Sequence, residues 1–245
     1  IETFAKKLED VKDLPEKVVK EAVFGSQFHT ICSGGAYLNP EYIELFERFG
    51  IQILQGYGMT ECSPVISTTV AWNVKKNSVG QLLPNCEAKT VDGELWVRGS
   101  SVMQGYYKMP EETKTALKDG WLCTGDLGYV DEERFIYLTG RKKNLIITKN
   151  GENVSPEELE NKLSSSRLVQ EVLVREAKGV IEAEIYPDEE YAKKQGLERE
   201  EEVRVELQKL IDEYNQGAPA YKKIYSLIIR NKEFEKTASR KIKRY

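Results

Sequence analysis

The chain has 245 residues, 40% hydrophobic and 31% charged, with a net charge of -4. That length suits one large or two ordinary globular domains with ample core, and the composition excludes a disordered or collagenous chain. No apolar stretch reaches the roughly 18 residues a spanning helix needs, and the acidic balance gives no global attraction to nucleic acid or anionic membranes.

The charge is uneven. Residues 230–245 hold seven basic side chains (Arg230, Lys232, Lys236, Arg240, Lys241, Lys243, Arg244) against Glu233 and Glu235. Such a tail suits a local anionic ligand, or simply a solvated end. Cys32, Cys62, Cys86 and Cys123 match neither a redox nor a zinc spacing; scattered thiols fit a reducing cytoplasm. The single histidine, His29, lies in the apolar run FHTIC and reads as a packed strand residue, not a ligand. The first residue is Ile1, no leader pattern is visible, and the chain is expected to be a piece of something longer.

In chain order, residues 1–24 carry apolar positions at helical spacing, interrupted by Pro15. Residues 28–32 read as a buried strand ending in SGGA. Asn39-Pro40 offers a helix cap, and Ile43, Phe46 and Phe49 share one face of the helix expected over 41–49. Gly50 ends it and 51–54 begins a second strand, completing a parallel β-α-β unit. Both strands are expected to run into glycine-rich loops, SGGA and GYGMTE, at the ends where open α/β sheets bind ligands. From 79 to 139 short β runs alternate with turns such as Asp92-Gly93, with a helix over about 110–118, which suggests a small antiparallel or barrel-like region. After 141–143 an independent α+β unit is expected. It holds the strand-like LIIT, a turn at 149–151, a helix opened by a Ser155/Glu158 capping box, strands over 169–177 and 180–187, a charged helix over about 198–214 and a last strand over 224–230.

Several of these stretches could carry chemistry. GYGMTE offers an aromatic face in Tyr57, a hydroxyl in Thr60 and a carboxylate in Glu61. A carboxylate beside phosphate makes sense mainly with a divalent cation between them. Asp126, in WLCTGDLGYV, could accept from a ribose diol or cap its own turn. Arg141 has a planar fork suited to ribose or phosphate oxygens. A lysine in KTASRKIKR could reach a reacting phosphate as a point charge.

Six stretches occur in order: SGGA (33–36), QGYGMTE (55–61), GELWVRGSSVMQGYY (93–107), DGWLCTGDLGYV (119–130), TGRKKNLIITKNGENVSPEELE (139–160) and KTASRKIKRY (236–245). Together they resemble the adenylate-forming, AMP-binding superfamily of acyl-CoA synthetases, luciferases and peptide-synthetase adenylation enzymes. QGYGMTECSPVIS and GRKKNLIITKNGENVSP look most like bacterial long-chain fatty acid-CoA ligases. The fold this implies combines α/β and α+β. Residues 1–141 would be the C-terminal part of the large AMP-binding domain (a β-α-β unit plus a small β-rich subdomain), and 142–245 a small mobile C-terminal domain.

The reaction the resemblance implies has two steps: a fatty acid carboxylate attacks the α-phosphate of ATP to give acyl-AMP, and coenzyme A then displaces AMP. Gly35 and Ala36 would line the adenine pocket, with Tyr57 against the base and Gly58 beside it. Thr60 would bind phosphate and Glu61 would hold Mg²⁺. Asp126 and Arg141 would hold the ribose hydroxyls. Lys241 matches the catalytic lysine, Lys143 the hinge, and the loop around Gly151 would line the pantetheine channel. Two positions depart from the pattern: Arg240 stands where the family has glycine, and Asn150 replaces the first glycine of a pair. No phosphate loop of the type TSGTTGxPKG is present, so the chain is expected to be inactive alone. A non-catalytic nucleotide- or acyl-carrier-binding protein, another acid and a carrier-protein acceptor stay open, as does peripheral membrane contact of the parent.

Overall fold

Pro15 separates two short amphipathic helices, α1 (Glu2–Glu9) and α2 (Glu16–Val23), and occupies the N-cap of the second, where its missing N–H breaks no helical bond. The structure, a computed structural model, describes residues 1–237 and 241–244, residues 2 and 3 by backbone alone. Arg240 lies outside the described residues. The chain divides into two compact units, Ile1–Lys142 and Lys143–Tyr245.

In the first unit β1 (Thr30–Gly34), α3 (Pro40–Arg48) and β2 (Gln52–Gly58) form the expected β-α-β element. The strands run parallel, from Thr30 opposite Gln52 to Gly34 opposite Gly56. Asn39 Oδ1 accepts the Glu41 N–H at 2.9 Å and Pro40 opens the helix. Ala5, Leu8, Val19, Phe46, Phe49 and Ile51 pack in one core against this element.

Two expectations fail here. The stretch 28–32 is not a buried strand: β1 starts at Thr30 and alternates exposed and half-buried residues, because among the described residues only β2 pairs with it. Phe28 and His29 are exposed, with His29 Nδ1 3.1 Å from Lys20 Nζ. Nor is GYG a loop. Tyr57 and Gly58 belong to β2, which continues the sheet antiparallel through β3 (Val65–Thr68) to β4 (Gln81–Leu82). Gly58 is needed there for close approach, since a Cβ would meet Pro64 O at 1.9 Å.

The remainder of this unit is antiparallel. It comprises β5 (Cys86–Val91), β6 (Glu94–Gly99), α4 (Pro110–Ala116), β7 (Leu117–Lys118), β8 (Trp121–Val130) and β9 (Ile136–Arg141). The order is β5-β6-β8-β7, with β9 also on β8. Asp92 and Gly93 take φ of 49° and 79°, as a type I′ hairpin turn requires. Ile66, Leu82, Leu95, Val97, Leu122 and Ile136 form a shared core that includes Tyr57, so side chains of both sheets meet in it.

The second unit opens with a ribbon of β10 (Ile146–Ile147) and β11 (Asn153–Val154), turned at Gly151 with φ 81°. Helix α5 (Pro156–Leu163) follows without the expected capping box: Ser155 Oγ donates to Glu157 Oε2 at 2.9 Å, and Glu158 pairs with Lys222 at 2.7 Å. The long-range ion pair has taken the carboxylate that a local cap would need. Then come β12 (Val169–Ala177), β13 (Val180–Pro187), α6 (Glu189–Lys194), α7 (Glu200–Gly217) and β14 (Ile224–Ile229). β12 and β13 are antiparallel, β13 and β14 parallel. Leu159, Leu163, Leu207 and Ile211 from α5 and α7 share a core with Val172, Val174, Ile181, Ala183 and Ile185 of the sheet. No helix among the described residues is long and apolar enough to cross a membrane.

Candidate functional site

β2, β8 and β9 bring together three sequence-predicted residues in the first unit. The Tyr57 hydroxyl donates to Asp126 Oδ2 at 2.7 Å, across 69 positions of chain. Arg141 Nε lies 2.7 Å from Asp126 Oδ1, and the two residues face each other in the β8–β9 register. Asp126 is buried whereas Arg141 is 45% exposed, so the carboxylate is held from a dry side by tyrosine and from a wet side by guanidinium. Burial, then the Asp126 charge and hydrogen bond, push the Tyr57 phenol well above its ordinary value and keep it a donor. The Tyr57 ring is itself 8% exposed and packed in the core, so the group it aims at the carboxylate is its hydroxyl.

Two further residues, neither singled out by its motif, support Asp126. Thr124 Oγ1 accepts the Asp126 N–H at 3.1 Å and donates to Leu95 O at 2.7 Å. Glu94, also buried, accepts the Gly125 N–H at 2.9 Å and pairs with Lys142 at 2.9 Å. Gly125 has φ 71°, so Asp126 follows a left-handed kink within β8 and not a separate turn.

At the end of β2 the chain forms a short 3₁₀ turn, Thr60–Cys62. Thr60 is exposed and Glu61 half-buried. The Tyr106 hydroxyl donates to Glu61 Oε1 at 2.8 Å, and the Met103 N–H donates to Glu61 O at 2.8 Å. Tyr106 lies in the motif GELWVRGSSVMQGYY, where its spacing alone assigns it no role. Its phenol is raised by the Glu61 hydrogen bond first and burial second. Mg²⁺ keeps several waters and takes only one or two protein carboxylates, so a single carboxylate such as Glu61 is compatible with it; among the described residues no group of three or more ligating side chains occurs.

Gly35 and Ala36 are exposed just past β1, Gly35 with φ 79°. Behind them Gly34 packs tightly, since a Cβ would lie 2.8 Å from Gly56 O. Lys143, Gly151 and Lys241 belong to the second unit. Lys143 is exposed, in the 3₁₀ turn Lys142–Asn144, and lines a pocket of about 290 Å³ with Arg175 and Arg244. Gly151 donates its N–H to Thr148 O at 2.9 Å. Lys241 is exposed; its N–H donates to Thr237 Oγ1 at 3.2 Å and its carbonyl accepts the Thr237 N–H at 2.8 Å.

A buried carboxylate between a tyrosine and an arginine, beside glycine-rich strand ends, suits a polyhydroxylated anionic ligand such as a nucleotide. The sequence agrees with that class. Residues 2–107 match the model of the AMP-binding enzyme family and residues 143–245 that of the AMP-binding enzyme C-terminal domain. The chain belongs to this adenylate-forming family. It is similar to the long-chain-fatty-acid–CoA ligase FadD15 of Mycobacterium bovis, 39% identical over 171 residues, 69% of this chain and 28% of that protein. It is also similar to the 4-coumarate–CoA ligase-like 4 of Oryza sativa subsp. japonica, 42% identical over 165 residues, 60% of this chain and 30% of that protein. Among solved structures it resembles the o-succinylbenzoate CoA synthetase MenE of Bacillus subtilis. The complex with the acyl-adenylate intermediate OSB-AMP gives a TM-score of 0.76 at 27% identity, over 97% of this chain and 48% of that one. The complex with ATP and magnesium gives 0.73 at 28%, over 96% and 48%. The chain thus spans less than a third of the length of these curated relatives.

Proposed function

We propose that residues 1–141 contribute the nucleotide-holding end of the large domain, and residues 142–245 the small mobile domain, of an AMP-forming fatty acid–CoA ligase of the cytoplasm. The observation that carries this reading is the Asp126 carboxylate held by Tyr57 and Arg141 in a chain of the AMP-binding family.

In this reading Asp126 and Arg141 hold the ribose hydroxyls of ATP and then AMP. Gly35, Ala36 and Gly58 line the adenine, with Tyr57 edging the base while its hydroxyl fixes Asp126. Thr60 donates to a phosphate oxygen. Glu61, oriented by Tyr106, is the residue to hold Mg²⁺, whose chemistry when bound is to neutralise phosphate charge. Lys241 bridges the fatty acid carboxylate and the α-phosphate. Negative charge grows there on the way to acyl-AMP, so an ammonium stabilises the transition state more than the ground state. Lys143 is the hinge on which the small domain turns, withdrawing Lys241 and presenting the Gly151 turn to the pantetheine arm of coenzyme A. Four free cysteines agree with a reducing compartment.

The test is a pair of half-reactions on the full-length protein that carries this chain. Lys241→Ala is expected to abolish pyrophosphate release from ATP and palmitate and to spare thioester formation from supplied acyl-AMP. Equal loss in both refutes the role of Lys241. The 245-residue chain alone, which lacks a TSGTTGxPKG-type loop, is expected to release no pyrophosphate. The 42% identity to a 4-coumarate–CoA ligase-like protein favours an aryl acid as a second reading of the substrate; a panel of fatty and aryl acids decides between them.

A further inference from the structure

Lys241 presents a chemical difficulty. Its side chain is long and exposed. A displacement of about 1 Å at a reacting centre costs on the order of a hundredfold in rate, so something must fix the backbone from which this lysine reaches. Two carboxylates of the second unit, one on α5 and one on β12, contact the tail on either side of it.

The first is Glu160, on α5 and 9% exposed. β12 is an edge strand of its sheet, so the groups of Val174 that point away from β13 have no strand partner. Glu160 Oε1 accepts the Val174 N–H at 2.7 Å, and Arg244 Nη1 donates to Val174 O at 3.5 Å. Arg244 Nη2 closes the ring by pairing with Glu160 Oε2. Three groups from α5, β12 and the tail therefore satisfy one another. The second carboxylate is Glu171 on β12, whose side chain is 9% exposed. Its Oε2 accepts the Phe234 N–H at 2.8 Å, and its Oε1 pairs with Lys236. Between these anchors the tail pairs with itself: Lys236 bridges Ile242 antiparallel, and the Lys243 N–H donates to Glu235 O at 2.8 Å.

We propose that Glu160 and Glu171 are positioning residues for Lys241, gripping the tail on either side of it through Arg244 and through Lys236 with the Phe234 N–H. The inference rests on the reading of Lys241 as the adenylating lysine. Neither carboxylate touches the reacting atoms in this reading. Each fixes a strand of the paired tail to the sheet, and losing either leaves the lysine attached but free to wander.

The experiment has two arms. In the first, hydrogen exchange by mass spectrometry is followed on the 245-residue chain for wild type, Glu160→Gln and Glu171→Gln. Glutamine keeps the size and an acceptor for the backbone N–H, and removes the charge that holds arginine or lysine. Exchange in a peptide covering 235–243 is expected to accelerate at least tenfold, with 169–187 unchanged. Unchanged protection at 235–243 overturns the proposal, and so does an equal loss in 169–187, which would mark a general folding role. In the second arm the same variants in the full-length protein are expected to lose roughly ten- to a hundredfold in kcat for adenylation. KM for ATP and thioester formation from acyl-AMP should stay within twofold. A loss shared equally by both half-reactions overturns the positioning role. Lys241→Ala in the same assays tests the underlying reading separately, since the exchange arm does not depend on activity.

Discussion

Replacing Tyr57 by phenylalanine removes one oxygen and keeps the ring in the core. The hydroxyl donates at 2.7 Å to a buried carboxylate, and hydrogen bonds to charged groups contribute about 1.5–3 kcal/mol. Arg141 stays on the other oxygen, so the loss should fall near the middle of that range, about 2 kcal/mol. For a unit of this size that is a shift of roughly 4–8 °C in the unfolding midpoint. The assay is clean because Trp72, Trp96 and Trp121, the three tryptophans of the chain, all lie in the first unit. Tryptophan fluorescence in urea thus follows that unit without the other. A double-mutant cycle of Tyr57→Phe with Asp126→Asn should give a coupling above about 1 kcal/mol. The pH dependence adds a second check. The folded phenol is raised above its unfolded value, so its contribution is fully present below about pH 10 and is lost as pH rises towards the folded value. The gap between wild type and Tyr57→Phe should therefore narrow in alkali. A Tyr57→Phe variant within about 0.5 kcal/mol of wild type, or strict additivity in the cycle, refutes the claim that this hydroxyl holds Asp126.

Glu94→Gln should change the acid limb of the same fluorescence transition. Burial pushes this carboxyl up, but the Lys142 ammonium and the Gly125 N–H more than reverse that, leaving it below the ordinary glutamate value. A depressed value contributes stability above about pH 4.3, lost as pH falls through the folded value. The wild type should lose stability there, and Glu94→Gln should lose less; parallel curves would contradict the assignment. Because Lys142 is 56% exposed, the cost at neutral pH should be modest, about 1–2 kcal/mol. Gly58→Ala and Gly35→Ala should differ sharply in the same measurement. Alanine at 58 would drive a Cβ into Pro64 O and should cost more than about 3 kcal/mol or prevent folding. Alanine at 35 meets nothing within 4 Å and should cost about 1 kcal/mol for its positive φ. Equal effects would mean that the GYG glycine does not serve close packing.

Local signals read correctly where local forces decide. Strands over 169–177 and 180–187 match β12 and β13, because apolar residues alternate on the face packed by α5 and α7. The Asn39-Pro40 cap and the parallel β-α-β unit also follow from nearby residues. What failed depended on distant partners. Ser155 and Glu158 have capping-box spacing, but Lys222, 64 positions away, claims Glu158. GYG looked like a loop because glycine marks turns; in the fold it lets two backbones touch. The acids of β13 occupy solvent-facing positions in the period-2 pattern, yet Glu182 and Glu184 are buried under Arg175, Ser226 and Arg230. The members of the candidate site were legible only through the ordered motifs, and nothing in their spacing revealed that the Tyr57 hydroxyl would meet Asp126.

That contact bears on why the carboxylate is there at all. Tyr57 stands in β2 and Asp126 in β8, and the side chains around Tyr57 form the core shared by the two sheets of the first unit. A carboxylate in such a place carries a desolvation cost of several kcal/mol, which its pairing with Tyr57 and Arg141 at best offsets. Well-packed apolar residues of similar volume often serve stability as well or better. Stability is thus a poor reason to keep Asp126, Thr124 and the Tyr57 hydroxyl together at this seam, and a ligand that needs a fixed acceptor is a good one. The same reasoning applies in the second unit, where buried Glu160 and half-buried Glu171 hold the tail segment that carries Lys241. In both units a costly buried charge is matched by fixed partners, Asp126 by Tyr57 and Arg141, and Glu160 by Arg244 and the Val174 N–H.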